Sequence, residues 1–165
     1  MYRTCIALVD ATRARLFTFD RDTDPGGTRE ELVEHEDLVD PARRQRPSQL
    51  FSDSRPGSSR VGARGFAFDD HRNAHVQHLD AEFAHLVVRE LGALLERSGA
   101  HRLIVCAPPS MLGELRAADL RGNGIVIDEV PRDLVKLSGS QLRERLAEYG
   151  LLPPVPPRAG RDATP

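Results

Sequence analysis

The sequence predicts an α/β domain in which a mixed sheet of about five strands is flanked by helices. Three observations lead to this fold class. Strand-like runs come first in succession, one long amphipathic helix follows them, and two further apolar runs then alternate with short helical segments. Successive strands favour antiparallel pairing, whereas strands joined through helices favour parallel pairing, so the sheet is expected to be mixed.

The first third of the chain contains three predicted strands. Residues 4–10 are almost continuously apolar, residues 13–19 are rich in strand-forming side chains, and residues 31–40 alternate loosely. An Asp-Pro-Gly-Gly sequence within residues 20–28 predicts a turn between the second and third strands. Pro41 is expected to end the third strand.

A long amphipathic helix is predicted after residue 73. Apolar side chains recur there at three- and four-residue spacing, which places them on one helical face. The members of this face are Val76, Leu79, Phe83, Leu86, Val87, Leu91, Leu94 and Leu95. Gly99 is typical of the residue that follows a helix C-terminus.

The remaining chain alternates strands with shorter helices. Residues 103–107 and 124–130 are predicted strands, with a short helix from Pro109 between them. Ser138 and Gln141 have the spacing of a capping box and predict the start of a last helix. This order of elements is that of ribonuclease-H-like domains.

Domain organisation and location follow from length and composition. With 165 residues, the chain fits one domain, which we predict over residues 1–150, followed by a disordered proline-rich tail at residues 151–165. No apolar run approaches the roughly 18–20 residues that span a bilayer, so we predict no membrane insertion and a cytoplasmic location. Cys5 and Cys106 lie in apolar runs and are expected to be buried; they form no metal-binding pattern.

The candidate binding site is an arginine-rich loop predicted over residues 41–73. Between residues 41 and 64 there are six arginines and one acid, Asp53. Arginine binds phosphate through two parallel hydrogen bonds, and aromatic rings stack on unpaired bases, so this composition points to single-stranded nucleic acid. The predicted nucleic-acid-binding residues are Arg43, Arg44, Arg46, Arg55, Arg60, Arg64, Phe66 and Phe68.

Two other groups of residues leave alternatives open. A stripe of His71, His75, His78, Glu82 and His85 has the spacing of one helical face and would suit a metal-dependent hydrolase, although the solvent-facing side of an amphipathic helix predicts the same spacing. Asp10 and Asp128 end or lie in predicted strands, as carboxylates of two-metal nucleases do. No metal and no cofactor is assigned, and enzymatic activity stays open.

Four segments, taken together, resemble the bacterial host attachment protein family. They are the opening residues 7–17, the Ser-Asp-Ser-Arg-Pro-Gly of residues 52–57, residues 107–116 after the central strand, and residues 131–138 before the last helix. The family is similar in fold to the middle domain of archaeal and eukaryotic peptide-chain release factors. The resemblance therefore implies a domain that meets RNA, a ribosome or tRNA.

The resemblance to release factors does not extend to the motif that promotes peptide release. In release factors the corresponding loop carries a Gly-Gly-Gln motif, whereas residues 55–72 here contain glycines but no glutamine. The leading functional hypothesis is thus a non-catalytic RNA- or ribosome-associated domain that binds through the arginine-rich loop. The metal-dependent hydrolase and a protein-interaction module in a cell-attachment pathway, which predicts a protein partner, are the alternatives.

Overall fold

The structure is a computed structural model that describes residues 2–44, 65–120 and 124–156. For Tyr2, Arg44 and residues 65–70 it describes the backbone only. Its residues group into two compact units, Met1–Val135 and Lys136–Pro165, which are described separately. The prediction of a single domain over residues 1–150 stays a prediction.

The first unit is built on a five-stranded mixed sheet with the order β3-β2-β1-β4-β5. Its strands are β1 (Tyr2–Val9), β2 (Arg13–Asp24), β3 (Gly27–Val39), β4 (Arg102–Cys106) and β5 (Val126–Val130). The β1–β2 and β2–β3 pairs are antiparallel, whereas β1–β4 and β4–β5 are parallel. The predicted mixed five-stranded sheet of ribonuclease-H-like order is confirmed.

Three helices accompany the sheet in this unit. They are α1 (Pro41–Arg44), α2 (Gly65–Ser98) and α3 (Pro109–Ala117). In the chain, α2 lies between the edge strand β3 and β4, which pairs with β1, and it packs against α3, β1 and β2. As predicted, α2 ends before Gly99, which adopts a φ of 65° and donates its N–H to the carbonyl oxygen of Leu95 at 3.0 Å.

The core lies under the C-terminal half of α2. The middle strand β1 is apolar and fully buried from Cys5 to Val9, because it is enclosed by strands on both edges. On one side its core is completed by Phe83, Val87, Leu91 and Leu94 of α2 and by the apolar residues of α3. Both cysteines are buried and carry free thiols, as the sequence predicted.

Charged pairs connect the edge strand β3 to its neighbour β2. The Arg13 guanidinium donates two hydrogen bonds to the Asp37 carboxylate, at 2.7 and 2.6 Å. Arg15 does the same to Glu34, with both distances 2.7 Å, and it also donates to the carbonyl oxygen of Val135. These bidentate cross-strand pairs fix the register of the hairpin on its solvent-facing side.

The structure corrects four local predictions. Strands β2 and β3 extend to Asp24 and from Gly27, so a four-residue turn replaces the predicted nine-residue one. The additional residue pairs of this hairpin are mostly exposed and polar. Their sequence therefore lacks the alternation of apolar and polar residues that would predict strands. Residues 41–44 are helical, and α2 begins at Gly65, within the predicted loop of residues 41–73. Val76 is exposed rather than part of the buried face.

The second unit contains α4 (Gly139–Glu148). Its predicted capping box is confirmed: the Ser138 hydroxyl accepts a hydrogen bond from the Gln141 N–H at 3.3 Å, and the Gln141 side chain accepts one from the Ser138 N–H at 2.9 Å. Residues 151–156 form no helix or strand, although Leu152 is buried. The disorder predicted for the tail concerns residues that lie largely outside the described ones.

Removal of the cap should weaken this unit measurably. A Ser138→Ala substitution leaves the first N–H groups of α4 without their side-chain acceptor, so the free energy of unfolding should fall by about 1 kcal/mol. Urea denaturation of this variant is compared with Glu144→Ala, which changes an exposed position on the same helix. Equal stabilities for both variants would show that the cap contributes nothing.

Candidate functional site

The arginine-rich stretch enters the described structure only at its two borders. Arg43 lies in α1, and Arg44 is the last residue of that helix. Phe66 and Phe68 belong to the first turns of α2, where a loop was predicted. The remaining predicted arginines lie outside the described residues; they are Arg46, Arg55, Arg60 and Arg64. A nucleic-acid-binding role for these eight residues stays a prediction.

A cluster of charged residues that was not predicted from the sequence connects α1, the first border of the arginine-rich stretch, to α2. The Arg43 guanidinium lies 2.5 Å from an Asp80 oxygen on α2 and 3.6 Å from Oδ2 of Asp40. Asp40 is only 4% exposed; its other oxygen accepts the Ala42 N–H, and its own N–H donates to the Thr12 carbonyl oxygen at 2.8 Å. One guanidinium therefore bridges the start of α1 to the middle of α2.

The cluster contains two carboxylates for one cation, and this shapes its electrostatics. Burial raises the pKa of Asp80, because the charged form loses hydration. The Arg43 guanidinium opposes that shift and the neighbouring Asp40 carboxylate adds to it. Because both acids contact Arg43, its positive charge is partly neutralised. Arg43 is therefore less suited to bind phosphate than its position in the sequence suggested.

The second border leads into a part of α2 that the core does not cover. Every side chain from His71 to His78 is exposed, whereas burial begins at Phe83. A helix rises 1.5 Å per residue, so Gly65 lies about 22 Å along the helix axis from Asp80. The borders of the arginine-rich stretch are thus fixed at opposite ends of an exposed helical segment.

The histidine stripe lies on the solvent-facing side of α2. His71, His75, His78, Glu82 and His85 are all exposed, and His78 Nε2 lies 3.3 Å from a Glu82 oxygen. Within residues 2–44, 65–120 and 124–156, no three His, Cys, Asp or Glu side chains are grouped so that they could hold a metal ion. The described residues therefore offer the metal-dependent hydrolase hypothesis no ligand set.

The two candidate nuclease acids have structural partners. Asp10 follows β1, and its Oδ1 accepts hydrogen bonds from the N–H groups of Thr12 and Arg13, both at 2.7 Å. It therefore shapes the tight β1–β2 turn. Asp128 in β5 pairs with Arg102 in β4 at 2.7 Å. β4 separates the strands that carry the two acids, and each acid is engaged where it stands.

Neither cysteine has the environment of a reactive nucleophile. Burial raises the pKa of Cys106 to about 12, and it also raises the pKa of Cys5, whose Sγ lies 3.5 Å from the Ser98 hydroxyl. A thiol attacks as the thiolate, and a high pKa keeps both sulfurs protonated at neutral pH. Both are fully buried and contribute to the packing of the protein interior.

Fold and site together define a small α/β domain of ribonuclease-H-like strand order, with an exposed helical segment that follows an arginine-rich stretch in the sequence. Its sequence matches the family described as proteins required for attachment to host cells over residues 5–146, so the chain belongs to that family. No curated protein is significantly similar to it in sequence. Among the described residues, no helix is both long enough and apolar enough to cross a membrane.

A similar solved structure is the type II variant of the Ppx/GppA phosphatase from Aquifex aeolicus. The similarity has a TM-score of 0.41 at 12% sequence identity. It covers 79% of this chain and 36% of that chain, so the present chain matches a little over a third of the phosphatase in length.

Proposed function

We propose that this protein is a non-catalytic RNA-binding domain, acting in the cytoplasm on a ribosome or tRNA. The observation that carries the proposal is the concentration of arginine between residues 41 and 64, where six arginines accompany a single acid. Such a stretch binds the phosphate backbone through counterion release, which needs positive charge in one place rather than a high overall charge. The net charge of −2 for the whole chain is compatible with that requirement.

The described borders support a binding role for this stretch. In the rest of the first unit, several arginines form pairs with acids; examples are Arg13 with Asp37 and Arg102 with Asp128. Between residues 45 and 64, by contrast, the sequence has four arginines and a single acid, Asp53, so three of these arginines have no acid within the stretch to pair with. Phosphate is the natural counterion for such a surplus.

The exposed start of α2 is the second part of the proposed interface. His71, Arg72, His75 and His78 add donors along the segment that separates the two borders. Arg43 is assigned to holding the first border through Asp40 and Asp80 rather than to contacting phosphate. Phe66 and Phe68 stay in the proposal as stacking groups, because they open the same helix.

The test is binding of tRNA and of ribosomes by the purified chain across a salt series. Wild type is compared with the triple variant Arg55→Glu, Arg60→Glu, Arg64→Glu. A matched control, Arg89→Glu, Arg132→Glu, Lys136→Glu, makes the same change in charge at exposed positions elsewhere. Each lost phosphate contact should reduce the slope of log affinity against log salt by about 0.7–0.9, so the first variant should lose roughly two to three units of slope.

Two outcomes would contradict the proposal. One is no binding to either tRNA or ribosomes even at low salt. The other is an equal loss of affinity in both triple variants, which would indicate nonspecific attraction to the whole surface.

A protein-interaction module in a cell-attachment pathway is the second candidate function, and the family description favours it. It predicts a stoichiometric protein partner and no affinity for RNA.

A further inference from the structure

A cavity of about 480 Å³ opens in the first unit. It lies between the C-terminal half of α2, the residues that follow α3 and the residue before β5. Its walls are branched aliphatic side chains from all three places, among them Val88, Leu95, Leu120 and Ile125. The volume falls in the range of about 300–1,000 Å³ that small-molecule sites occupy.

Gly92 keeps part of this space open. It lies in the interior of α2, where glycine is less favourable than alanine. The fold does not require a glycine there, because the residue has no positive φ and an added Cβ would meet no atom within 4 Å. By contrast, Gly99 also lines the cavity but is explained by its φ of 65° at the helix end. A side chain at position 92 would project into empty space.

The electrostatics of the cavity favour a cation. Two helices end at its wall: α2 at Ser98, followed by Gly99, and α3 at Ala117, followed by Asp119 and Leu120. The C-terminus of a helix carries a partial negative charge from its carbonyl groups. The carboxylates of Glu96 and Asp119 add full negative charges at the same place.

The exposed acids Glu96 and Asp119 differ from the paired acids on the sheet. Acids on the sheet, such as Asp37 and Asp128, form ion pairs with arginine. Within the described residues, no ion pair or side-chain hydrogen bond engages the carboxylate of Glu96 or Asp119. Among the lining residues that the structure describes, His101 is the one that can carry a positive charge. Two helix C-termini and two carboxylates thus lie at an apolar space. The arginines in the last turns of these helices, Arg97 and Arg116, pair with Glu36 and Glu129 rather than with Glu96 or Asp119.

We propose that this cavity binds a small organic cation with an apolar body, of the alkylammonium type. The aliphatic walls take the apolar body, and the helix C-termini with Glu96 and Asp119 hold the ammonium group at the mouth. The lining residues of this site are not among those of the proposed RNA-binding segment, and the proposal does not depend on RNA binding.

The probes are hexylamine, 1-hexanol and hexanoate, which share one apolar chain and differ in the charge of the head group. Affinity is measured by calorimetry, and the location by chemical-shift changes of the Gly92 and Gly99 amides. The ammonium probe should bind about tenfold more tightly than the carboxylate, with the alcohol between them. Glu96→Gln should reduce that preference by about threefold.

Filling the cavity provides the decisive control. Gly92→Leu should weaken hexylamine binding by about tenfold or more while leaving the thermal midpoint equal to or above that of wild type. Gly92→Ala is the milder companion and should keep most of the binding. Equal affinity for the three probes, or shifts at Gly92 and Gly99 absent with hexylamine, would overturn the proposal. Hexylamine binding unchanged in Gly92→Leu would do the same.

Discussion

Replacement of Phe83 by alanine is expected to lower the free energy of unfolding by about 3–5 kcal/mol, the range for removal of a buried phenyl ring. Phe83 is 2% exposed and belongs to the core cluster that joins α2 to the sheet. It is among the first residues of α2, after the exposed start, that the core encloses. The cavity left behind would face neighbours that cannot close over it, since the interior is tightly packed.

The matched control for Phe83 lies seven positions earlier on the same helix. Val76 was predicted to share the buried face, but it is 43% exposed. Val76→Ala should therefore change stability by no more than about 0.5 kcal/mol. Both variants are measured by urea denaturation with a common m-value. A comparable loss at the two positions would mean that the start of α2 is packed, contrary to the structure.

Replacement of Arg43 by alanine is expected to lower the free energy of unfolding by the next largest amount after Phe83→Ala. It leaves the buried Asp40 carboxylate beside Asp80 with no cation between them. Loss of one partner from an enclosed pair costs about 3–5 kcal/mol, and the side chain of Arg43 is 25% exposed, so we expect about 2–3 kcal/mol. Arg43→Lys keeps the charge and should lose less, although lysine cannot reproduce the planar geometry.

The loss of stability in Arg43→Ala should become smaller at lower pH. The pKa of Asp80 is already above its ordinary value in the folded protein, and removal of Arg43 takes away the influence that holds it down. A carboxyl whose folded pKa is raised costs stability while it is ionised, and that cost disappears as it takes up a proton. The deficit of Arg43→Ala should therefore shrink as the pH falls from about 7 toward about 3.9.

A double variant assigns this pH dependence to one residue. With Asp80→Asn added to Arg43→Ala, no carboxyl remains at position 80 to take up a proton, so most of the recovery at low pH should vanish. Urea denaturation at several pH values, with each variant compared with wild type at the same pH, measures the effect. Recovery that persists in the double variant would assign it to another acid.

The parts of the fold that could be predicted are those whose structure depends on residues close together in the sequence. Strand β1 is readable because it is buried on both faces, and a strand of that kind is a continuous apolar run. The end of α2 and the start of α4 are readable because Gly99 and Ser138 satisfy helix ends within a few residues. The outer rungs of the β2–β3 hairpin and the beginning of α2 carry no such pattern, because the core does not cover them.

The candidate sites were harder to predict, since they depend on residues that are distant in sequence. Arg43 was assigned to phosphate binding from its neighbours, but Asp80, its ion-pair partner, lies 37 positions away. The cavity likewise combines residues of α2 with residues that follow α3. Its one local sign was Gly92, a glycine inside an otherwise regular helix. The charge of the arginine-rich stretch, by contrast, is a property of composition and needed no fold to be seen.

The outer edge of β3 bears on how this protein behaves at high concentration. A long strand at the end of a sheet offers its main-chain groups to any similar strand that approaches. Here the approaching copy would meet a strand that carries five acids and one arginine, so the strand itself has a negative net charge even though arginines of neighbouring elements pair with some of its acids. Two such edges repel each other unless both are neutralised. Acidification is therefore the condition under which sheet-to-sheet aggregation should first appear, and neutral buffer of low ionic strength the one that best prevents it.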